Sequence, residues 1–84
     1  MYVEFLGIPR ERAGLSELEL HATTLGQLLT DLSARLPGFA DLMADGQLLP
    51  SVAANLNGDR FVSDPGTTLA EHDHILILSA DVGG

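Results

Sequence analysis

Leucines at positions 25, 28, 29, 32 and 36 recur at helical steps of three, four and seven residues and mark one face of a single helix. Thr24 and Gln27 stand at capping-box spacing just before it. Thr24 is placed to accept the Gln27 backbone N–H while the Gln27 side chain reaches back. Pro37-Gly38 ends the run, since proline cannot continue a helix and glycine readily takes the left-handed conformation that closes one. No other stretch carries this periodicity, so the leucine stripe must be buried against a sheet, and one helix can cover only one face of it.

The rest of the chain reads as strands. Tyr2-Val3-Glu4-Phe5-Leu6 alternates, with Val3 and Phe5 on one face and Tyr2 and Glu4 on the other, and Gly7 and Pro9 end it. Arg10-Glu11-Arg12-Ala13-Gly14 is expected as a loop or a single helical turn. Glu17 to His21 alternates again, with Leu18 and Leu20 inward, and completes an opening hairpin. Phe39, Leu42 and Met43 suggest a short helical turn over the core. Ser51 to Leu56 is a further strand, closed by Asn57-Gly58, a dipeptide favoured in type I′ turns, and answered by Arg60-Phe61-Val62. Asp64-Pro65-Gly66 is another turn, and Thr67 to Ala70 leads into a polar loop.

The last strand, about His74 to Ser79, is apolar on both faces, the pattern of a strand in the middle of a sheet. If Ile75 and Ile77 pack under the helix, Leu76 and Leu78 point to the uncovered face with Tyr2 and Ala53. That placement makes Leu76 and Leu78 candidate partner-binding residues.

At 84 residues the chain is one domain, and 45% apolar content suffices for a globular fold. Residues 1–80 are expected to form the folded body and residues 81–84 a flexible tail. Twelve acidic residues stand against four arginines, with no lysine and no cysteine, for a net charge of −8. Such a charge disfavours nucleic acid and anionic membranes and steers the chain toward basic protein surfaces. No signal peptide or membrane-spanning run is evident, and the expected location is cytoplasmic.

Internal chemistry is sparse. His72 and His74 share a face in extended chain but have no third ligand nearby, so no metal site is expected. No serine lies in a nucleophile elbow, and no glycine-rich phosphate loop follows a strand. What remains is the end of the chain, Asp81-Val82-Gly83-Gly84. Glycine lacks a Cβ, so Gly83 and Gly84 suit a carboxylate that is threaded into another protein's active site.

A hairpin, one long helix, further strands and a final strand that launches Gly-Gly together resemble the ubiquitin-like β-grasp fold: an α+β architecture with a mixed sheet of four to five strands and one main helix on one face. More narrowly, the chain resembles the sulfur-carrier family that contains the small subunit of molybdopterin synthase and the thiamine sulfur carrier. The resemblance spans essentially the whole sequence. It rests on Arg10-Glu11-Arg12-Ala13-Gly14, Thr24-Leu25-Gly26-Gln27-Leu28-Leu29, Asn57-Gly58, Leu69 with Asp73, and Val82-Gly83-Gly84. The family commonly has Gly-Asp-Glu where this chain has His72-Asp73-His74, and often a proline where it has Ser79-Ala80.

The resemblance implies that an E1-like adenylating enzyme uses ATP to convert the Gly84 carboxylate into an acyl-adenylate, which a sulfur donor turns into a thiocarboxylate. Val82 and Gly83 would thread the end into partner active sites, and no cofactor would be held by the chain itself. In length the sequence sits nearer the molybdopterin synthase subunit, whose partner is the large synthase subunit. The rivals are a carrier for thiamine, thiolated tRNA or cysteine synthesis, a protein modifier joined to target lysines, and a β-grasp interaction domain without tail chemistry.

Overall fold

The computed structural model describes residues 1–80. Its five-stranded sheet is ordered β2-β1-β7-β5-β6, with β1 at Tyr2–Phe5, β2 at Glu17–Glu19, β5 at Val52–Leu56, β6 at Arg60–Val62 and β7 at His74–Ser79. β7 is the central strand, as its two apolar faces require. It pairs in parallel with β1, Val3 beside Ile75 and Phe5 beside Ile77, and antiparallel with β5, Ala54 beside Ile77. The outer pairs, β1 with β2 and β5 with β6, are antiparallel. A mixed sheet with one long helix on one face is the expected β-grasp architecture.

That helix, α2, spans Leu25–Arg35 and buries Leu25, Leu28, Leu29 and Leu32 against Val3, Phe5, Ala54, Leu56, Ile75 and Ile77. Its N-terminal donors all find acceptors. Leu25 and Gly26 N–H groups donate to the carbonyls of Thr67 and Pro65, both at 2.9 Å, and Gln27 N–H donates to Thr24 Oγ1 at 3.2 Å. The cap differs from the expected reciprocal box in one respect: Gln27 Oε1 reaches back to the N–H of Thr23, at 2.7 Å, one residue earlier than Thr24. The loop at 64–68 is therefore fastened to the helix end, and an orphaned set of backbone donors is avoided.

Pro37-Gly38 does end α2, but not by the expected route. Leu36 is extended and Pro37 begins a 3₁₀ helix, Pro37–Leu42. Gly38 does not take a left-handed conformation. It is required for space, since a Cβ there would lie 2.1 Å from the Arg12 carbonyl oxygen. The 3₁₀ helix buries Phe39 and Leu42, and the Phe39 ring meets Phe5 edge-to-face with centroids 5.9 Å apart. Such a pair adds about 0.5–1.5 kcal/mol beyond its buried area.

Two elements exceed the expectation from sequence. The segment expected as a loop or single turn is a helix, α1, over Ile8–Ala13, with Pro9 in its first turn and Gly14 in the left-handed region at its end. Met43–Ala44 and Gln47–Leu48 form a two-stranded ribbon, β3 and β4. Met43 thus begins a strand and does not continue the helical turn. The Asn57-Gly58 turn is as expected: φ is 58° and 67° at its two central residues, and Asp59 N–H donates to Leu56 O at 3.0 Å.

Candidate docking face and tail root

Strand register places alternate residues on the sheet face that α2 leaves uncovered. From one edge to the other these are Glu17 and Glu19 on β2, Tyr2 and Glu4 on β1, His74, Leu76 and Leu78 on β7, Ala53 and Asn55 on β5, and Phe61 on β6. Leu76 and Leu78 are half-buried, whereas Ile75 and Ile77 between and before them are sealed on the other side. Phe61 is 67% exposed and Tyr2 36%. Phe61 was not singled out by sequence reasoning; its pairing with Asn55 across a tight hairpin is the signal that puts it on this face.

The face is chemically divided. Around β2 and β1 it is acidic, with Glu4 directly opposite Glu17 and Glu19 opposite Tyr2. Like charges paired across strands are destabilising by up to about 1 kcal/mol. Here Tyr2 donates its hydroxyl to Glu17 Oε2, and His74 Nε2 lies 3.1 Å from Glu4 Oε1 while the Tyr2 and His74 rings meet edge-on. Around β7, β5 and β6 the face is apolar. Ala53, Phe61, Leu78, Ser79 and Ala80 line a shallow groove of about 300 Å³. Asn55 sits between Leu76 and Phe61, and its covered Oδ1 has no hydrogen-bond partner among the described residues.

The groove marks the place where the described chain ends. Ala80 N–H donates to Ser51 O at 2.8 Å, one step past the last β7 pair, Ser79 with Val52. That bond holds the end of the described chain against the apolar half of the face. Val82, Gly83 and Gly84, the residues to which sequence reasoning assigned tail threading and the reactive carboxylate, lie outside the described residues.

The segment His72-Asp73-His74 is put to structural use through the Asp73 carboxylate and the His74 backbone. Asp73 accepts from Ala70 N–H at 2.7 Å and from Asn57 Nδ2 at 2.9 Å, and Asn57 Oδ1 accepts from His74 N–H at 2.7 Å. The donors at Ala70 and Asn57 hold the Asp73 carboxyl below its ordinary range, with a smaller contribution from the charges of the amino terminus and Arg60. Asp73 thus ties the turn after β5 to the start of β7. Among the described residues no group of three histidines or carboxylates is arranged to hold a metal, and no helix is long and apolar enough to cross a membrane.

Comparison with solved structures returns the same architecture. CysO of Mycobacterium tuberculosis, described as an antigen, is 28% identical, with a TM-score of 0.77 over 94% of this chain and 97% of that one. The small archaeal modifier protein 1 of Methanosarcina acetivorans is 25% identical, with a TM-score of 0.79 over 99% and 94%. A chain from the BexX/CysO complex of Amycolatopsis orientalis, at 24% identity, shares the fold with a TM-score of 0.81 over 99% and 98%. No curated protein sequence matches the chain. Residues 3–84 match the ThiS family. The chain therefore belongs to the ThiS family, small sulfur-carrier and modifier proteins of β-grasp fold.

Proposed function

We propose that this protein carries sulfur as a thiocarboxylate on Gly84 and is read by its partners through the uncovered sheet face. The observation that carries the reading is the position of Ala80: its bond to Ser51 roots the chain end beside the exposed apolar groove of Ala53, Phe61 and Leu78. Docking and delivery then occur on the same side of the molecule. The Gly84 carboxylate, a poor electrophile, attacks the α-phosphate of ATP in the adenylating enzyme and pyrophosphate leaves. The acyl-adenylate is a good electrophile, and sulfur from a donor replaces AMP to leave a terminal thiocarboxylate. Gly83 and Gly84 enter each active site without side-chain obstruction, and the body supplies the binding energy that positions them.

Leu76 and Leu78 supply the apolar contact, and Asn55 Oδ1 offers an acceptor to a donor from the partner. The next partner is the large subunit of molybdopterin synthase, with sulfur delivered to a pterin precursor of the molybdenum cofactor. Chain length and the family resemblance support that assignment. A protein-modifier role is the second reading, favoured by the likeness to small archaeal modifier protein 1.

Intact mass of the carrier recovered from cells tests the two. The expected product is the full chain with one oxygen replaced by sulfur; a ladder of lysine conjugates without thiocarboxylate would support the modifier. Deleting Gly84 is expected to abolish sulfur transfer with the fold intact, and retained transfer would overturn the reading.

A further inference from the structure

An activated acyl end is attacked by whatever nucleophile reaches it. The protein's own surface is the nucleophile present at the highest effective concentration. In this reaction an amine nitrogen attacks the acyl carbon, the C–N bond forms, the C–O bond to phosphate breaks, AMP leaves and the amine proton passes to solvent. The amide so formed is stable and the carrier is spent. Lysine and the α-amine are the groups able to do this, and an ordinary α-amine, with a pKa of about 7.7–8.0 against about 10.4 for lysine, has the larger unprotonated fraction at neutral pH.

The chain holds no lysine and no cysteine. Its positive charge is carried by Arg10, Arg12, Arg35 and Arg60, and a guanidinium stays protonated and offers no lone pair. Among the described residues arginine makes two surface ion pairs, Arg12 with Asp41 and Arg35 with Asp31. The remaining amine is the Met1 nitrogen, and the fold closes it. Met1 is 5% exposed, its ammonium group donates to Leu20 O at 2.8 Å, and Leu20 N–H returns a bond to Met1 O at 3.0 Å. This reciprocal pair extends the β1–β2 ladder by one step and holds the amine within it. Histidines 21, 72 and 74 form only acyl-imidazoles, which water cleaves, and the hydroxyls stay protonated at neutral pH.

We infer that the folded chain presents no amine to an activated glycine, and so serves only as a donor in acyl or sulfur transfer, never as an acceptor to which itself or a further copy is joined. The inference rests on activation of Gly84, but the closure of the Met1 amine is measurable without it. In the labelling experiment the full chain is treated at pH 7.5 with the acetyl ester of sulfo-N-hydroxysuccinimide, beside a peptide with a free α-amine, and followed by mass. The expected result is no amine acetylation of the folded chain while the peptide is consumed, and one acetyl group, on Met1, in urea. Acetylation of folded Met1 at the rate of the peptide would overturn the inference.

The second arm incubates the chain with its adenylating enzyme and ATP and compares it with Ser51→Lys, which sets a lysine beside the tail root at an exposed position. The variant is expected to gain hydroxylamine-resistant amide products, cyclised or dimeric, each lighter by one water per bond, and the natural chain none. Amide products from the natural chain, or none from the variant while ATP is turned over, would overturn it. If the enzyme turns over no ATP with the carrier, activation of Gly84 is what fails, and the labelling result still decides whether the amine is closed.

Discussion

The two faces of the sheet are made by alternate residues of the same strands, yet they obey different rules. On the helix side Val3, Phe5, Ala54, Leu56, Ile75 and Ile77 are buried with no polar group among them. On the other side a tyrosine, three glutamates, a histidine and an asparagine alternate with Leu76, Leu78, Ala53 and the exposed Phe61. The first face is what burial selects; the second retains a like-charge pair and an unsatisfied acceptor that folding alone disfavours. The difference teaches that an apolar residue in β7 meets one of two environments, and a step of one residue along the strand decides which.

Paired truncations on β7 probe this contrast most strongly. Ile77→Ala is expected to lower unfolding free energy by about 2–5 kcal/mol, as for buried aliphatic truncations, and Leu76→Ala by less than half as much in the same urea titration. Equal losses would make the second face part of the core and dissolve the comparison. Leu78→Arg should next weaken binding to the adenylating enzyme at least tenfold, about 1.4 kcal/mol, while stability changes by less than about 1 kcal/mol. A variant that binds normally would remove Leu78 from the docking surface.

Two smaller effects sharpen the helix side. Thr24→Ala removes the cap of α2 and is expected to cost about 1 kcal/mol in thermal or urea unfolding without changing partner affinity. Asp73→Asn bears on the start of β7. Because the folded carboxyl is held below its ordinary value, its contribution is present above the unfolded pKa, about 3.9, and is lost as pH falls through the folded value. The variant should therefore show a lower urea midpoint at pH 7, with the gap from the natural chain narrowing at about pH 3 and below. A gap independent of pH would assign the effect to packing.

Much of the fold is legible in sequence because its strongest signals are periodic and long. The leucine stripe of α2, the two-faced strand β7 and the Asn57-Gly58 turn each announce themselves within a few residues. The elements that escape reading are short: α1 has six residues and begins at Ile8 and Pro9, where the proline reads as the end of a strand although it is well placed in a helix's first turn. The β3–β4 ribbon has two residues per strand, too few for alternation to show. Gly38 carries no local signal for its role at all, since the atom that would collide with its Cβ belongs to Arg12, in another element. The placement of Leu76 and Leu78 on the uncovered face was legible through alternation, but Phe61 and Asn55 joined that face only when the order of strands was known.

The parallel pairing of β1 with β7 has a kinetic side. β7 follows the other strands in the described chain, and its parallel neighbour β1 lies at the opposite end of that chain. Until His74–Ser79 is available, the remaining strands of the five-stranded sheet amount to two separate hairpins, β1–β2 and β5–β6, neither expected to persist alone. Closure awaits a contact between residues far apart in sequence, the kind of step that slows folding. A chain interrupted before β7 would lack the strand that joins the two hairpins, so no partial sheet can stand in for the whole one.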